Sequence, residues 1–346
     1  MASIQTSARI AERQVPPVVR NLEAVFAALP DDELLSALIG PVRRGPKGHS
    51  TVALWHAFVA KYLLGLASTD ALIRALHDNP YLADVCGFTT IPHKSTFSRF
   101  YARLASPEFL PLVQVIFERM VRQRMATIPG FGKRVAIDST TLKGWANGAK
   151  AKKVDPDAGW SVKGGTQGVK EMVFGYKLHL LLDTESELPI SAVVTAGNRS
   201  DTTHLPIVLE EARRIATQWK PDAVMGDKGY DAATNYAFIY DQMGAVPIIP
   251  LNQRRTEKGG RVPKRSALHL RFLDLRKHGV FARESVQWKA LYSQRGAVER
   301  AFSRLKGQRA LNKITVRRMA KVTVHCYLSL IAMQASHSLS VQGIQT

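Results

Sequence analysis

Acidic residues are in short supply. The 346-residue chain carries 28 Asp and Glu against 48 Lys and Arg, a formal net charge of +20 and a pI near 10.1. That imbalance favours a polyanionic partner: nucleic acid, an anionic membrane surface or a ribosome. Cysteine is nearly absent. Cys86 and Cys326 both stand in apolar surroundings and read as buried thiols of a reducing cytoplasm, which excludes a disulfide framework and a zinc site. No apolar leader follows Met1, and the longest apolar run, Val322 to Ala335, holds His325 and is too short to cross a bilayer, so no membrane role is expected. Gly40 and Gly45 have the spacing of a phosphate-binding loop, but Pro46 stands where the lysine must be, which excludes that class. The 45% hydrophobic and 22% charged composition is that of a globular chain with room for two or three domains.

The charge is concentrated. From Arg254 to Lys321 there are 20 Lys and Arg against four acids, a net +16 in a fifth of the chain. The stretch 252–285 is too polar for core and too long for a plain loop, and reads as a basic, DNA-contacting insertion whose leading candidates are Arg254, Arg255, Lys264 and Arg265. Ahead of it, residues 1–105 are helical in pattern. TVALWHAFVAKYLLGLAS predicts a buried helix, and IPHKSTFSRFYARL a basic one capped by Ser95. Residues 106–130, ending in Pro129-Gly130, make a connecting helix. From 131 the pattern changes to strands: KRVAIDSTTLKGW, with Asp138 at its C-terminal end, then MVFGYKLHLLLD, then LPISAVVTA. Gly144 to Gly168 reads as a Gly/Lys-rich insertion that closes over DNA. Asp201 caps a helix, PDAVMGDKGYD is a strand ending on Asp227 with Gly229 in the turn, AVPIIPL is a strand whose Pro247 argues for irregular or edge placement, and an apolar helix closes the chain near 338.

The most informative stretch is LYSQRGAVERAFSRLK, Leu291 to Lys306, which lacks Pro, has a single Gly and predicts one helix. At about 100° per residue, Tyr292, Arg295, Glu299 and Lys306 fall within roughly 60° on the helical wheel, beside an apolar stripe of Leu291, Val298, Phe302 and Leu305. A carboxylate flanked by a phenol and two cations suits a metal held by Glu299 and phosphate oxygens gripped by Arg295, Lys306 and Tyr292. The plain alternative is a solvated face with an Arg–Glu pair four residues apart.

The spacing Tyr292, two residues, Arg295, three residues, Glu299, six residues, Lys306 resembles the Y-(2)-R-(3)-E-(6)-K signature of bacterial insertion-sequence transposases of the DDE class. The run GLAS…LIRAL…NPYLADVCGF…STFSRFYARL is likewise similar to their N-terminal domain. The resemblance implies an α/β, ribonuclease-H-like catalytic domain over 131–338, behind a helical DNA-binding or dimerising domain over 1–105. It implies that Glu299 is the last acid of a metal-binding triad whose other members stand at strand ends, which Asp138 and Asp227 satisfy. The implied cofactor is Mg²⁺, two ions with Mn²⁺ as substitute. The implied partner is double-stranded DNA, as terminal inverted repeats and target, held by a homodimer. The implied reaction is DNA strand cleavage and strand transfer at element ends, of the cut-and-paste kind. Two ions stabilise the attacking and leaving oxygens of such a displacement together. A nuclease of the same fold that cuts without joining, or a DNA-binding protein without catalysis, are the competing readings.

Overall fold

A computed structural model describes residues 19, 21–39, 48–146, 151–164, 170–252, 279–283 and 285–341. By packing, the chain divides into two compact units. The first comprises residues 1–120, 305–316 and 320–346, and the second comprises 121–304 and 317–319.

The first unit is helical. Its described helices are α1 (Leu22–Ala28), α2 (Asp32–Ile39), α3 (Thr51–Leu63), α4 (Thr69–Asp78), α5 (Pro80–Cys86), α6 (Lys94–Leu104) and the start of α7 (Leu110–Thr127). Helix α3 is apolar over most of its surface and is buried accordingly, with Trp55, Phe58, Tyr62 and Leu63 at its centre. The polar tips of Trp55 and Tyr62 are both satisfied. The Trp55 indole N–H donates to Asp31 Oδ2 at 2.6 Å, and the Tyr62 hydroxyl meets His325 Nδ1 at 2.7 Å. His325 comes from the closing helix, which runs Met319–Val341. Helix α6 starts two residues earlier than a Ser95 cap implies: His93 is the N-cap, its ring accepting from the Ser95 N–H.

The second unit is a six-stranded sheet: β1 (Arg134–Lys143), β2 (Gly159–Gly164), β3 (Lys170–Asp183), β4 (Pro189–Ala196), β5 (Ala223–Met225) and β6 (Val246–Ile248). Strand β3 pairs antiparallel with β1 on one side, and with β2 along its first half and β4 along its second. Strand β1 pairs parallel with β5, and β5 with β6. Three antiparallel strands running into a parallel pair is the ribonuclease-H-like order. Pro247 sits in the edge strand, where its missing N–H costs nothing. Gly175 lies opposite Lys143 and Gly159 at the point where β3 changes partners, and a Cβ there would stand 2.0 Å from the Leu142 carbonyl oxygen.

Two expectations need correction here. Strand β1 continues five residues past Asp138, because β3 is long enough to pair with it as far as Lys143, so Asp138 is mid-strand. Nor is Gly144–Gly168 wholly an insertion: it contains the short helix α8 (Ala151–Val154) and β2, which lengthens the sheet. The next helix, α9 (Asp201–Ile215), buries Leu205, Val208, Leu209, Ala212 and Ile215 against the sheet. Then come a 3₁₀ turn at Lys228–Tyr230, α10 (Ala233–Ala237), α11 (Val286–Ser293) and α12 (Gly296–Gln308), with the closing helix as α13. The predicted single helix over 291–306 is therefore two. Gln294 and Arg295 form a tight turn in which the N–H groups of Arg295, Ala297 and Val298 bond three residues back rather than four.

Among the described residues, no helix is long and apolar enough to cross a membrane.

Candidate active site

The site grows from the place where β1 and β5 stop pairing. Their last paired residues are Ala136 and Met225. Asp138, still within β1, and Asp227, just past the end of β5, each follow two residues later. Each carboxylate is turned by a local hydrogen bond. The Ser139 N–H donates to Asp138 Oδ1 at 2.7 Å, and the Gly229 N–H donates to Asp227 Oδ1 at 2.8 Å, with Asp227 capping the 3₁₀ turn.

Glu299 arrives from a distant part of the sequence, in the first turn of α12. Arg295, in the turn before α12, joins it to the sheet: one guanidinium nitrogen donates to Glu299 Oε1 at 2.5 Å and the other lies 3.7 Å from Asp138 Oδ2. Arg295 also lies 5.8 Å from the centroid of the Tyr292 ring, which stacks on Trp288 at 4.8 Å. The tight turn thus brings Tyr292, Arg295 and Glu299 together although they do not share one helix. Lys306 is further along α12, in the part that belongs to the first unit. Arg254, Arg255, Lys264 and Arg265 lie outside the described residues.

Helix α12 is held from its other side. Glu187, in the β3–β4 turn, takes both Arg300 and Arg304, the latter at 2.6 Å. Thr184, in the same turn, donates to the Gln294 side chain at 3.1 Å.

Asp201 does not cap its helix, although its place in the sequence predicts that it does. The N-cap of α9 is Ser200, and no side chain caps it. The Asp201 carboxylate instead points at the sheet, where Oδ1 accepts from the Ser139 hydroxyl at 2.7 Å and from Lys177 Nζ at 3.0 Å. His179 Nδ1 approaches the same oxygen to 3.6 Å, while the ring stacks on His204 and its Nε2 meets the Thr195 hydroxyl at 3.0 Å. Burial, followed by the nearby His204, pushes the His179 pKa down to about 4, so the ring is neutral and its approach to Asp201 is not an ion pair at neutral pH. The period-two pattern of β3, which puts Lys177 and His179 on one face, was the available signal; what it lacked was the element that covers that face.

Negative charge accumulates here. Burial, with Asp227 and Asp201 as like-charged neighbours, raises the Asp138 pKa to about 6 against the partial relief given by the Ser139 N–H and then by Arg295. The buried Tyr230 phenol is pushed well up by burial and by Asp138, Asp201 and Asp227. Among the described residues no three His, Cys, Asp or Glu side chains stand ready to take up one ion. The donors nevertheless suit a hard cation: carboxylate oxygens only, on a cluster whose excess charge already draws in a guanidinium.

Two models of known families match the chain. Residues 129–334 match the family model described as Transposase DDE domain, and residues 9–103 match one described as Transposase domain (DUF772). A search of curated proteins found no match. Among solved structures, the chain is similar to a piggyBac transposase synaptic complex with hairpin DNA, at 11% identity and TM-score 0.43, over 96% of this chain and 78% of that one. It is also similar to the Drosophila P element transposase strand transfer complex, at 10% identity and TM-score 0.31, over 83% of this chain and 65% of that one. The family is one that uses divalent metal ions. With most of its length covered by the DDE model, the chain belongs to the DDE transposases.

Proposed function

We propose that Asp138, Asp227 and Glu299 are the acids that hold divalent metal, and that this chain cleaves and joins DNA strands at the ends of its own element. The observation that carries the reading is the single guanidinium of Arg295 shared by Asp138 and Glu299, residues 161 positions apart in sequence. A structural salt bridge needs no third acid beside it, yet Asp227 lies near enough to help raise the Asp138 pKa. Mg²⁺, as two ions, is the expected cofactor; bound there, it would stabilise the entering and departing oxygens of the phosphodiester.

The chain's own residues have distinct parts. Arg295 neutralises the acids in the metal-free protein, and its planar fork suits a bidentate hold on a phosphate once metal relieves them. Tyr292 offers a hydroxyl beside it, held by its stack on Trp288. Lys306, and the basic stretch that includes Arg254, Arg255, Lys264 and Arg265, contribute affinity for duplex DNA through charge. The helical segment 1–105 serves end binding or pairing of two protomers, and 131–338 serves the chemistry.

Replacing Asp138 by Asn tests the assignment. Strand cleavage should disappear while binding to the element's end DNA is retained, because metal serves the chemistry and Lys and Arg supply the affinity. Gel shift and cleavage assays on one preparation separate the two. Parallel loss of both would make Asp138 a structural residue.

A further inference from the structure

Backbone pairing between β1 and β5 ends at Ala136 and Met225, two residues short of each acid. No strand hydrogen bond therefore fixes the separation of Asp138 from Asp227, yet two-metal chemistry tolerates little error in that distance. Consecutive residues of the first turn of α9 fill the gap. Asp201 accepts from the Ser139 hydroxyl at 2.7 Å, and the Thr202 hydroxyl donates to the Gly229 carbonyl at 2.6 Å. Ser139 and Gly229 are the residues whose own N–H groups turn Asp138 and Asp227. The helix end thus grips both acid-bearing segments one residue removed from the hydrogen bonds that aim the carboxylates.

We propose that Asp201 and Thr202 are positioning residues: the first turn of α9 is a spacer that sets the distance between Asp138 and Asp227. The proposal rests on the reading of those two acids as metal-holding. Lys177 stiffens the spacer, since it donates both to Asp201 and to the Arg199 carbonyl at 2.8 Å, tying the carboxylate to the chain that leads into the helix. Lys177 also offsets the charge of Asp201, so that a fourth acid can serve as a strut without competing as a ligand. Helix α9 has a rigid base, its apolar face being buried against the sheet along its length.

The test uses the full-length chain with Ser139→Ala, Thr202→Val and the two combined, and with Thr202→Ser as the conservative control. Two quantities are read: the carboxylate separation in metal-free crystal structures, and the Mn²⁺ concentration that gives half-maximal cleavage of pre-bound ends. The double variant should need about 10-fold or more extra Mn²⁺, the usual scale for losing an outer-shell support. Its carboxylate separation should change by more than about 0.5 Å, the tolerance of such a site. Thr202→Ser should behave as wild type, and end binding should be unaffected in all four proteins. An unchanged separation, or an unchanged Mn²⁺ requirement, overturns the spacer. Asp138→Asn run alongside separates the two levels. If it still cleaves, the reading of the acids fails; if it does not and the double variant is normal, only the spacer fails.

Discussion

Asp138 combines burial, two acidic neighbours and one partial counter-charge, and the sum leaves its carboxyl titrating near pH 6. The folded value lies above the ordinary carboxylate value, so the sign is the reverse of a salt-bridged acid. Its contribution to stability is complete below about pH 4, where the group is protonated in both states, and is lost as pH rises through 6. In metal-free buffer the melting temperature should therefore fall between pH 5 and pH 7.5 by more in the wild type than in Asp138→Asn, in which that residue no longer titrates. Saturating Mn²⁺ should reduce the difference by supplying the missing positive charge. Equal pH slopes in the two proteins would mean that the site's charge is relieved elsewhere. At this scale the sequence was most legible where a residue's role is announced by its spacing. Glu299 is proposed from the intervals it keeps with Tyr292, Arg295 and Lys306, and Asp138 and Asp227 from the strands that lead to them. Asp201 is not, because an Asp at the start of a helical pattern reads as a cap, and only the packing of α9 on the sheet turns its carboxylate toward Ser139 and Lys177.

Elements explain how a distant acid reaches the sheet. Helix α12 is pinned by the β3–β4 turn, where Glu187 receives two arginines one helical turn apart, Arg300 and Arg304. Glu187 adopts a left-handed backbone at φ 58°, a conformation costly for a residue with a side chain and tolerated where contacts over-determine it. Replacing Glu187 by Ala leaves both arginines without that partner. The arginine ends are half-exposed, so solvent screening limits the loss to about 1 kcal/mol, or roughly 2–4 °C in melting temperature for a unit of this size. Cleavage should fall further than end binding, since Glu299 rides on the loosened helix. Thermal melting and single-turnover cleavage of pre-bound ends check this; an unaffected cleavage rate would show that α12 is fixed by its apolar face alone. The elements themselves were largely readable, with failures that have physical causes. Periodicity ran unbroken through Gln294 and Arg295 because a three-residue hydrogen-bond turn barely disturbs a helical wheel. Strand β2 was hidden because Trp160 and Val162 are exposed, so its stretch lacks the buried alternation that marks a strand.

Across the whole molecule, charge and chain path dominate. Four-fifths of the net +20 lies between Arg254 and Lys321. Each phosphate neutralised contributes about −0.9 to the slope of log K against log salt on duplex DNA. Replacing Arg254, Arg255, Lys264 and Arg265 together by Gln should flatten that slope by up to roughly 3–4, with the cleavage rate of saturated complexes preserved. An unchanged slope would put the DNA track on other cations. The path of the chain has a consequence of a different kind, in time. The first unit is interrupted after residue 120 and resumes at 305, with the second unit spliced into its middle. Tyr62 is fully buried in the finished protein, and its hydroxyl waits for His325, 263 residues later. At about 5–20 residues per second of synthesis, that is a delay of roughly 15–50 s in which this apolar helix has no closing partner. During that interval the nascent chain exposes its N-terminal core to whatever holds unfolded protein in the cell, and the unit that carries Asp138 completes its sheet before the unit that precedes it can close.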